Sequence, residues 1–247
     1  MSGKRIHLSV VDSTNLHTIG LLSQSDTEEW TVVSCDFQTQ GRGQRGRTWE
    51  SEAGANLTFS LLAKPQIPIS KQYEISAAVS LALVDLLDGY GLRSMIKWPN
   101  DLIVAERKIA GMLIENVLKH QLVEWSVIGI GLNVNQALFP ETRWPATSVK
   151  VEVGRKSNLN TDLMLDMLVQ LIRKNVSLVM ANKGAQFVDR LNEYLYGRDE
   201  LRSFTTTDGS SFSGFIRRVT PSGTLIIEDG GVTKEFSNGE LRFKQTS

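Results

Sequence analysis

The stretch Gly41–Trp49, GRGQRGRTW, sets three arginines among three glycines and closes on a tryptophan. Guanidinium groups are planar, permanently charged donors suited to phosphate and carboxylate oxygens, and glycine lets a backbone approach and rearrange around a ligand. A solvated surface loop accounts for the composition but not for the position. The run lies directly between two strand-like segments, where connections are short and economical. A phosphate loop fails on context: arginine stands at 47 in place of lysine, and WESEAGANLTFS continues as a strand instead of a helix. A dinucleotide fold fails too, because Gly129-Ile130-Gly131 meets Val134 where a third glycine is needed. An RGG-type RNA-binding segment shares the composition, but such segments are usually long and disordered. A further reading is a mobile loop that folds over an anionic ligand, with Trp49 offering a flat face for a base; taken alone, the run favours a surface loop, and its company along the chain decides.

Four further stretches carry residues able to do chemistry: DSTN at 12–15, KWPND at 97–101, KIAGMLIE at 108–115 and GIGLNVN at 129–135. Singly, each has a bland explanation. DSTN reads as a helix cap, KWPND as a hairpin turn with a surface ion pair, Lys108 as a strand-edge guard against aggregation, and Asn133 as the end of a strand. Five such stretches in this order are hard to explain as unrelated caps and turns. The chain has no G-x-S-x-G elbow, a single cysteine (Cys35) and three scattered histidines (His7, His17, His120).

Together with GRGQRGRTW, these stretches resemble the ordered motif set of the biotin protein ligases, closely over residues 6–135 and more loosely beyond. The resemblance implies a two-step reaction: biotin and ATP give biotinyl-adenylate, and a lysine of a biotin carboxyl carrier domain then takes the biotinyl group. It implies biotin contacts at Ser13, Thr14, Asn15, Gln38, Arg42, Gly43, Gln44, Lys108 and Gly111. It places ATP on Arg45, Arg47, Trp49, Lys97, Asn100 and Asn133. Lys108, Arg42 and Asp101 are the implied catalytic groups, with Mg²⁺ on Asp101. Gln44 stands where many members carry arginine. With DSTN beginning at residue 12, the resemblance is to the monofunctional members without a DNA-binding domain, so no DNA partner is expected; a homodimer is allowed. Two other readings stay open: a lipoate-type ligase or transferase of the same fold, and a non-catalytic RNA- or ligand-binding module.

These residues need a scaffold. IHLSVV, WTVVSCDFQ and ANLTFSLLAK read as strands, and LHTIGLLSQ as a short helix with Leu16, Ile19 and Leu22 on one side. Residues 70–90 follow a helix period, with Ile75, Val79, Ala82 and Leu86 on one face and glycines at 89 and 91 as stops. SMIKW, LIVAE, KIAGMLIENVLK and LVEWSVIGIGLNVN predict neighbouring antiparallel strands. A second helical region is expected over 161–195, opening on a Thr161-Asp162 cap and broken near Lys183-Gly184. Beyond Gly197, Asp208-Gly209, Ser222-Gly223 and Asp229-Gly230 punctuate short strands. The expected fold is α+β: a mixed or antiparallel sheet with flanking helices, like a class II synthetase, over 1–196, and a small β-barrel over 197–247.

Composition is consistent with this. Lys+Arg and Asp+Glu balance at 27 each, which argues against a chain that coats nucleic acid along its whole surface. The 41% hydrophobic content is ordinary for a globular protein. MSGKRIHLSV has no apolar signal core and no apolar run is long enough to span a bilayer, so a cytoplasmic protein with no membrane partner is expected.

Overall fold

A helix carries the chain from the first strand to the second, so these two strands run parallel: β1 (Arg5–Val11), α1 (Thr14–Leu21) and β2 (Val32–Gln38). Every later pairing in the sheet is antiparallel, through β3 (Leu57–Ala63), the short β4 (Ile67–Pro68), β5 (Met95–Lys97), β6 (Asp101–Val104), β7 (Arg107–Lys119) and β8 (Leu122–Leu132). The strand order is β1-β2-β3-β8-β7-β6-β5, with β4 paired to β8. The structure is a computed structural model that describes residues 3–141 and 144–244.

The hairpins follow local chemistry. Ala105 and Glu106, both at positive φ, turn β6 into β7, and His120 at φ 55° turns β7 into β8 at the predicted position. In α2 (Gln72–Asp88) the sequence pattern marks one apolar face, but the helix is buried around most of its circumference, including Leu81, Leu83 and Leu87. It is apolar all round because α4 (Thr161–Met180) and α5 (Ala185–Glu193) cover it away from the sheet. The break between α4 and α5 falls where it was predicted. The cap of α4 is Asn160, not Thr161-Asp162: its side chain accepts from Leu163 N at 3.0 Å. A one-turn helix, α3 (Val149–Glu152), precedes them.

In α1 the expected apolar face is not the buried one. Leu16 is 39% exposed, whereas Thr14, Asn15 and Thr18 are buried against β2, β3 and β8. The helix turns its polar side inward because that side lines a cavity. No helix among the described residues is long and apolar enough to cross a membrane.

After Gly197 (φ +71°) the chain forms a second, five-stranded antiparallel sheet: β9 (Leu201–Thr206), β10 (Ser211–Val219), β11 (Leu225–Asp229), β12 (Val232–Phe236) and β13 (Leu241–Phe243), in the order β12-β11-β10-β9-β13. Its inward side chains, Phe204, Ile216, Leu225, Ile227 and Phe243, belong to the same apolar cluster as the main sheet and its helices.

Cys35 lies within β2, and its thiol is pushed up to about 12, chiefly by burial and secondarily by Asp36. An unfolded thiol titrates near its ordinary 9.0. The contribution to stability is thus complete below that value and is lost as pH rises toward 12. Iodoacetamide at pH 8 is expected to label Cys35 only after denaturant is added. Rapid labelling of the native protein, read by intact mass, would contradict this burial.

Candidate active site

The sheet supplies a floor from which side chains have been removed. Gly129 and Gly131 lie on β8, and a Cβ at either would overlap a side chain: the Asn15 amide at Gly129 and the Trp49 indole at Gly131. A Cβ at Gly111 on β7 would come within 3.2 Å of both Lys108 Nζ and Trp49 Cζ3. The glycines of GIGLNVN therefore make room for the protein's own Asn15 and Trp49.

Over this floor lies an inner cavity of about 90 Å³. Ser13, Thr14 and Asn15 from the start of α1, Gln38 from the end of β2, Arg42, Gly43 and Gln44 from the loop, and Lys108 and Gly111 from β7 all line it. DSTN is more than a cap: Ser13 occupies the N-cap position, yet its side chain makes no capping hydrogen bond. Thr14 donates from N (2.8 Å) and Oγ1 (3.1 Å) to Gln38 Oε1. Asn15 Nδ2 donates to Glu115 Oε2 at 2.7 Å and Leu113 O at 3.1 Å. Ser60 Oγ donates to Asn15 Oδ1 at 2.6 Å, and lies 2.8 Å from Thr14 Oγ1.

Sequence reasoning gave no role to Ser60 or Glu115, although Glu115 closes the KIAGMLIE stretch. Its other oxygen pairs with Arg42 Nη1 at 3.4 Å, so one carboxylate fixes both Asn15 and the loop arginine. Ser60, fully buried in β3, has no local signal; only the fold brings it beneath α1.

The loop is a narrow hairpin. Trp49 N donates to Gly41 O (2.9 Å) and Gly43 N to Arg47 O (2.7 Å), with a tight turn at Gln44–Gly46 where Arg45 has φ 56°. Its tip is fastened to the C-terminal sheet. Arg45 donates to the carbonyls of Asn238 and Gly239, the latter at 3.3 Å, and Asn238 Nδ2 donates to Gln44 Oε1 at 3.0 Å. Arg45, expected on a phosphate, is held in this structure by the β12–β13 turn.

The loop separates the inner cavity from an outer cleft of about 870 Å³, lined by all the residues expected to meet ATP: Arg45, Arg47, Trp49, Lys97, Asn100 and Asn133. Arg242 adds a cation, and the aromatic rings of Trp49, Trp144 and Phe243 also line the cleft. The indole Nε1 of Trp49 is buried with no acceptor among the described residues. Asn133 is held by Thr147 O, 3.0 Å from its Nδ2.

Cavity and cleft join at a triad of charges. The β5–β6 hairpin pairs Lys97 with Asp101, and a bulge where Leu102 and Ile103 face Ala110 and Lys108 brings Lys108 round to the same carboxylate. Lys108 Nζ is 2.6 Å from Asp101 Oδ1, and Lys97 Nζ is 3.9 Å from Oδ2. Lys97 also lies over Trp144 (4.4 Å) and Phe243 (5.0 Å). The peptide before Pro99 is cis, and Trp98 Nε1 donates to Gly223 O at 3.0 Å. Asn100 Nδ2 donates to Met112 O at 2.6 Å. No group of three or more His, Cys, Asp and Glu side chains able to hold a metal occurs among the described residues. A lone carboxylate already shared by two ammonium groups does not make a resident Mg²⁺ site.

A profile of the Biotin/lipoate A/B protein ligase family matches residues 8–133, which span four of the five stretches completely and GIGLNVN as far as Asn133. The chain belongs to this family, and within it to the biotin protein ligases. It is 36% identical over 237 residues to the bifunctional ligase/repressor BirA of Bacillus subtilis, covering 94% of this chain and 72% of that one. Its alignment to the Bacillus spizizenii protein of the same name, also 36% identical, takes in 61% of this chain and 47% of that one. A biotin–[acetyl-CoA-carboxylase] ligase of Mycobacterium tuberculosis is 27% identical over 93% of this chain and 85% of its own length. The fold matches the biotin protein ligase of Aquifex aeolicus, solved with biotin and ATP, at a TM-score of 0.80 and 24% identity, over 98% of this chain and 99% of that one.

Removing the amide at 238 should release the loop tip. Asn238→Leu is expected to speed tryptic cleavage after Arg45 or Arg47, while Asn238→Asp, to which Gln44 can donate by turning its amide, keeps the loop protected. Equal cleavage rates for all three proteins, followed by mass spectrometry, would show that the tip is not held there.

Proposed function

We infer that this chain is an ATP-dependent biotin ligase that forms biotinyl-5′-AMP and passes the biotinyl group to a lysine of a carrier protein. The observation that carries the inference is the junction of the two spaces. A small cavity with hydroxyl and amide groups at its closed end opens, at Lys108, onto a cleft lined by cations and aromatic rings.

A ureido ring offers N–H donors and a carbonyl acceptor, and Ser13, Thr14, Asn15 and Gln38 offer the complement. The dithiolane of lipoate has neither, which disfavours the lipoate reading. The biotin carboxylate would lie beside Lys108, whose ammonium orients it and offsets its repulsion from the triphosphate. One carboxylate oxygen attacks the α-phosphorus and pyrophosphate leaves into the cleft beside Arg47, Lys97 and Arg242. Trp49 and Asn133 would border the adenine. Nucleotide enters as MgATP, a substrate, with Asp101 holding Lys97 and Lys108 in register for it. Arg42, fixed by Glu115, and the backbone at Gly43 close the cavity, and exclusion of water protects the mixed anhydride.

A biotin carboxyl carrier domain of a carboxylase is the proposed acceptor. The proposal includes the division of the chain near Gly197, with the C-terminal sheet serving to hold the loop and complete the cleft.

Incubation with an unmodified biotin carboxyl carrier domain, MgATP and either biotin or lipoate should give a mass increase matching biotin only. A lipoyl increase would replace the reading, and no biotin-dependent pyrophosphate release would remove it. Lys108→Ala should slow pyrophosphate release by about 100-fold or more while thermal unfolding shows a folded protein. Wild-type turnover in that variant would take Lys108 out of the reaction.

A further inference from the structure

Three cavities meet at Gln44 and Asn100. Besides the inner cavity and the cation-lined cleft, both residues line a third space of about 250 Å³, between the start of α2, the face of β7 and two turns of the C-terminal sheet. Its character differs from that of the cleft. The walls carry Gln72, Tyr73 and Ser76 from α2, Asn116 from β7, and Ser222 and Asn238 from the turns, and among the described residues no Lys, Arg, Asp, Glu or His lines it. The amides are held: Asn116 Nδ2 donates to Gln72 Oε1 at 3.2 Å and its Oδ1 accepts from Ser126 Oγ at 2.7 Å. Burial pushes the Tyr73 phenol up, so it stays neutral. Gln44, Asn100 and Met112 line both this space and the inner cavity, and Asn238, which lines this space and the outer cleft, donates to Gln44 Oε1.

We propose that this uncharged cavity admits the ε-amine of the acceptor lysine, which reaches the inner cavity past Gln44, a side chain held by Asn238. The proposal rests on the ligase reading of the same site. Once the adenylate forms, its nucleotide half occupies part of the outer cleft and the loop roofs the inner cavity, so a nucleophile arriving from the α2 side avoids the nucleotide. That nucleophile must be an amine, not an ammonium ion. A partly enclosed space without a carboxylate withholds the partner that stabilises the charged form, and desolvation favours the neutral one. In the transfer step the nitrogen lone pair forms the C–N bond to the biotinyl carbonyl carbon. The C–O bond of the mixed anhydride breaks, its electron pair leaves on AMP, and the amine proton passes to solvent.

Ser76→Phe and Ser222→Trp narrow the cavity from opposite walls, and neither residue lines the inner cavity or the outer cleft. With the carrier domain as acceptor, kcat/KM for the carrier should fall about tenfold or more in both, while biotin-dependent ATP–pyrophosphate exchange stays within about twofold of wild type. Ser76→Glu should leave exchange unchanged and move the pH midpoint of the transfer step upward, because a carboxylate stabilises the ammonium form. Unchanged carrier kinetics in both bulky variants would overturn the proposal. So would an equal fall of exchange and transfer in both, or a transfer midpoint that does not move in Ser76→Glu. A wild-type protein without biotin-dependent exchange would instead remove the ligase reading on which the proposal stands.

Discussion

Asp101 sits between two ammonium groups at the point where the inner cavity opens into the cleft. Two lysines aimed at one small space repel each other, and without a counter-charge they would swing apart toward water. The carboxylate keeps both in place before any ligand arrives, so anions entering the site meet donors that need no rearrangement. The arrangement is local in origin. A three-residue turn sets Lys97 across from Asp101, and a bulge in the β6–β7 ladder turns Lys108 toward the same atoms. The cost is that Asp101 is itself committed to two ammonium groups before any ligand arrives.

The same economy governs the sheet surface. Three glycines on β7 and β8 leave hollows, and the hollows are taken by Asn15 and Trp49, remote in sequence, and by Lys108 of β7 itself. The ligand-facing groups therefore lie against a flat backbone floor and cannot sink further. Glu115 then ties Asn15 and Arg42 together, so the closed end of the cavity and its lid share one anchor. A substitution at Glu115 would thus act on two walls at once, even though it does not line the cavity itself.

Much of this was legible in the sequence where the chemistry is written in consecutive residues. Most of the strand and helix pattern, the hairpin at His120 and the break between α4 and α5 follow from local signals, and the motif residues gather around both spaces, whereas Trp144, Arg242 and Phe243 in the cleft carried no such signal. What was not legible depends on packing. The face of α1 that carries Thr14, Asn15 and Thr18 looks like the solvent side by hydropathy, and only a polar cavity beneath it inverts the rule. Ser60 is one polar residue in a strand buried at every position. The all-round burial of α2 requires α4 and α5, which follow about seventy residues later in the chain. For Arg45 the resemblance allowed a phosphate contact or a part in ordering the loop, and no motif reveals that a carbonyl turn in another sheet takes its guanidinium.

That last contact changes the standing of the C-terminal sheet. Composition and turn spacing mark it as a separate unit after Gly197, yet its core residues continue the main apolar cluster. It reaches the site at three places: Gly223 accepts from Trp98, Asn238 and Gly239 hold the loop tip, and Phe243 of β13 lies under the Lys97 ammonium. Each of these grips one of the stretches that do chemistry. A loop rich in glycine and arginine is costly to order, since it loses backbone freedom and brings like charges together. Fixing it at both ends of its arc, by Glu115 beneath and by the 238–239 turn above, lets a sequence chosen for mobility hold a defined shape. The small sheet is best understood as the far wall of the site, because without it the loop would lose its upper anchor and the cleft one of its sides.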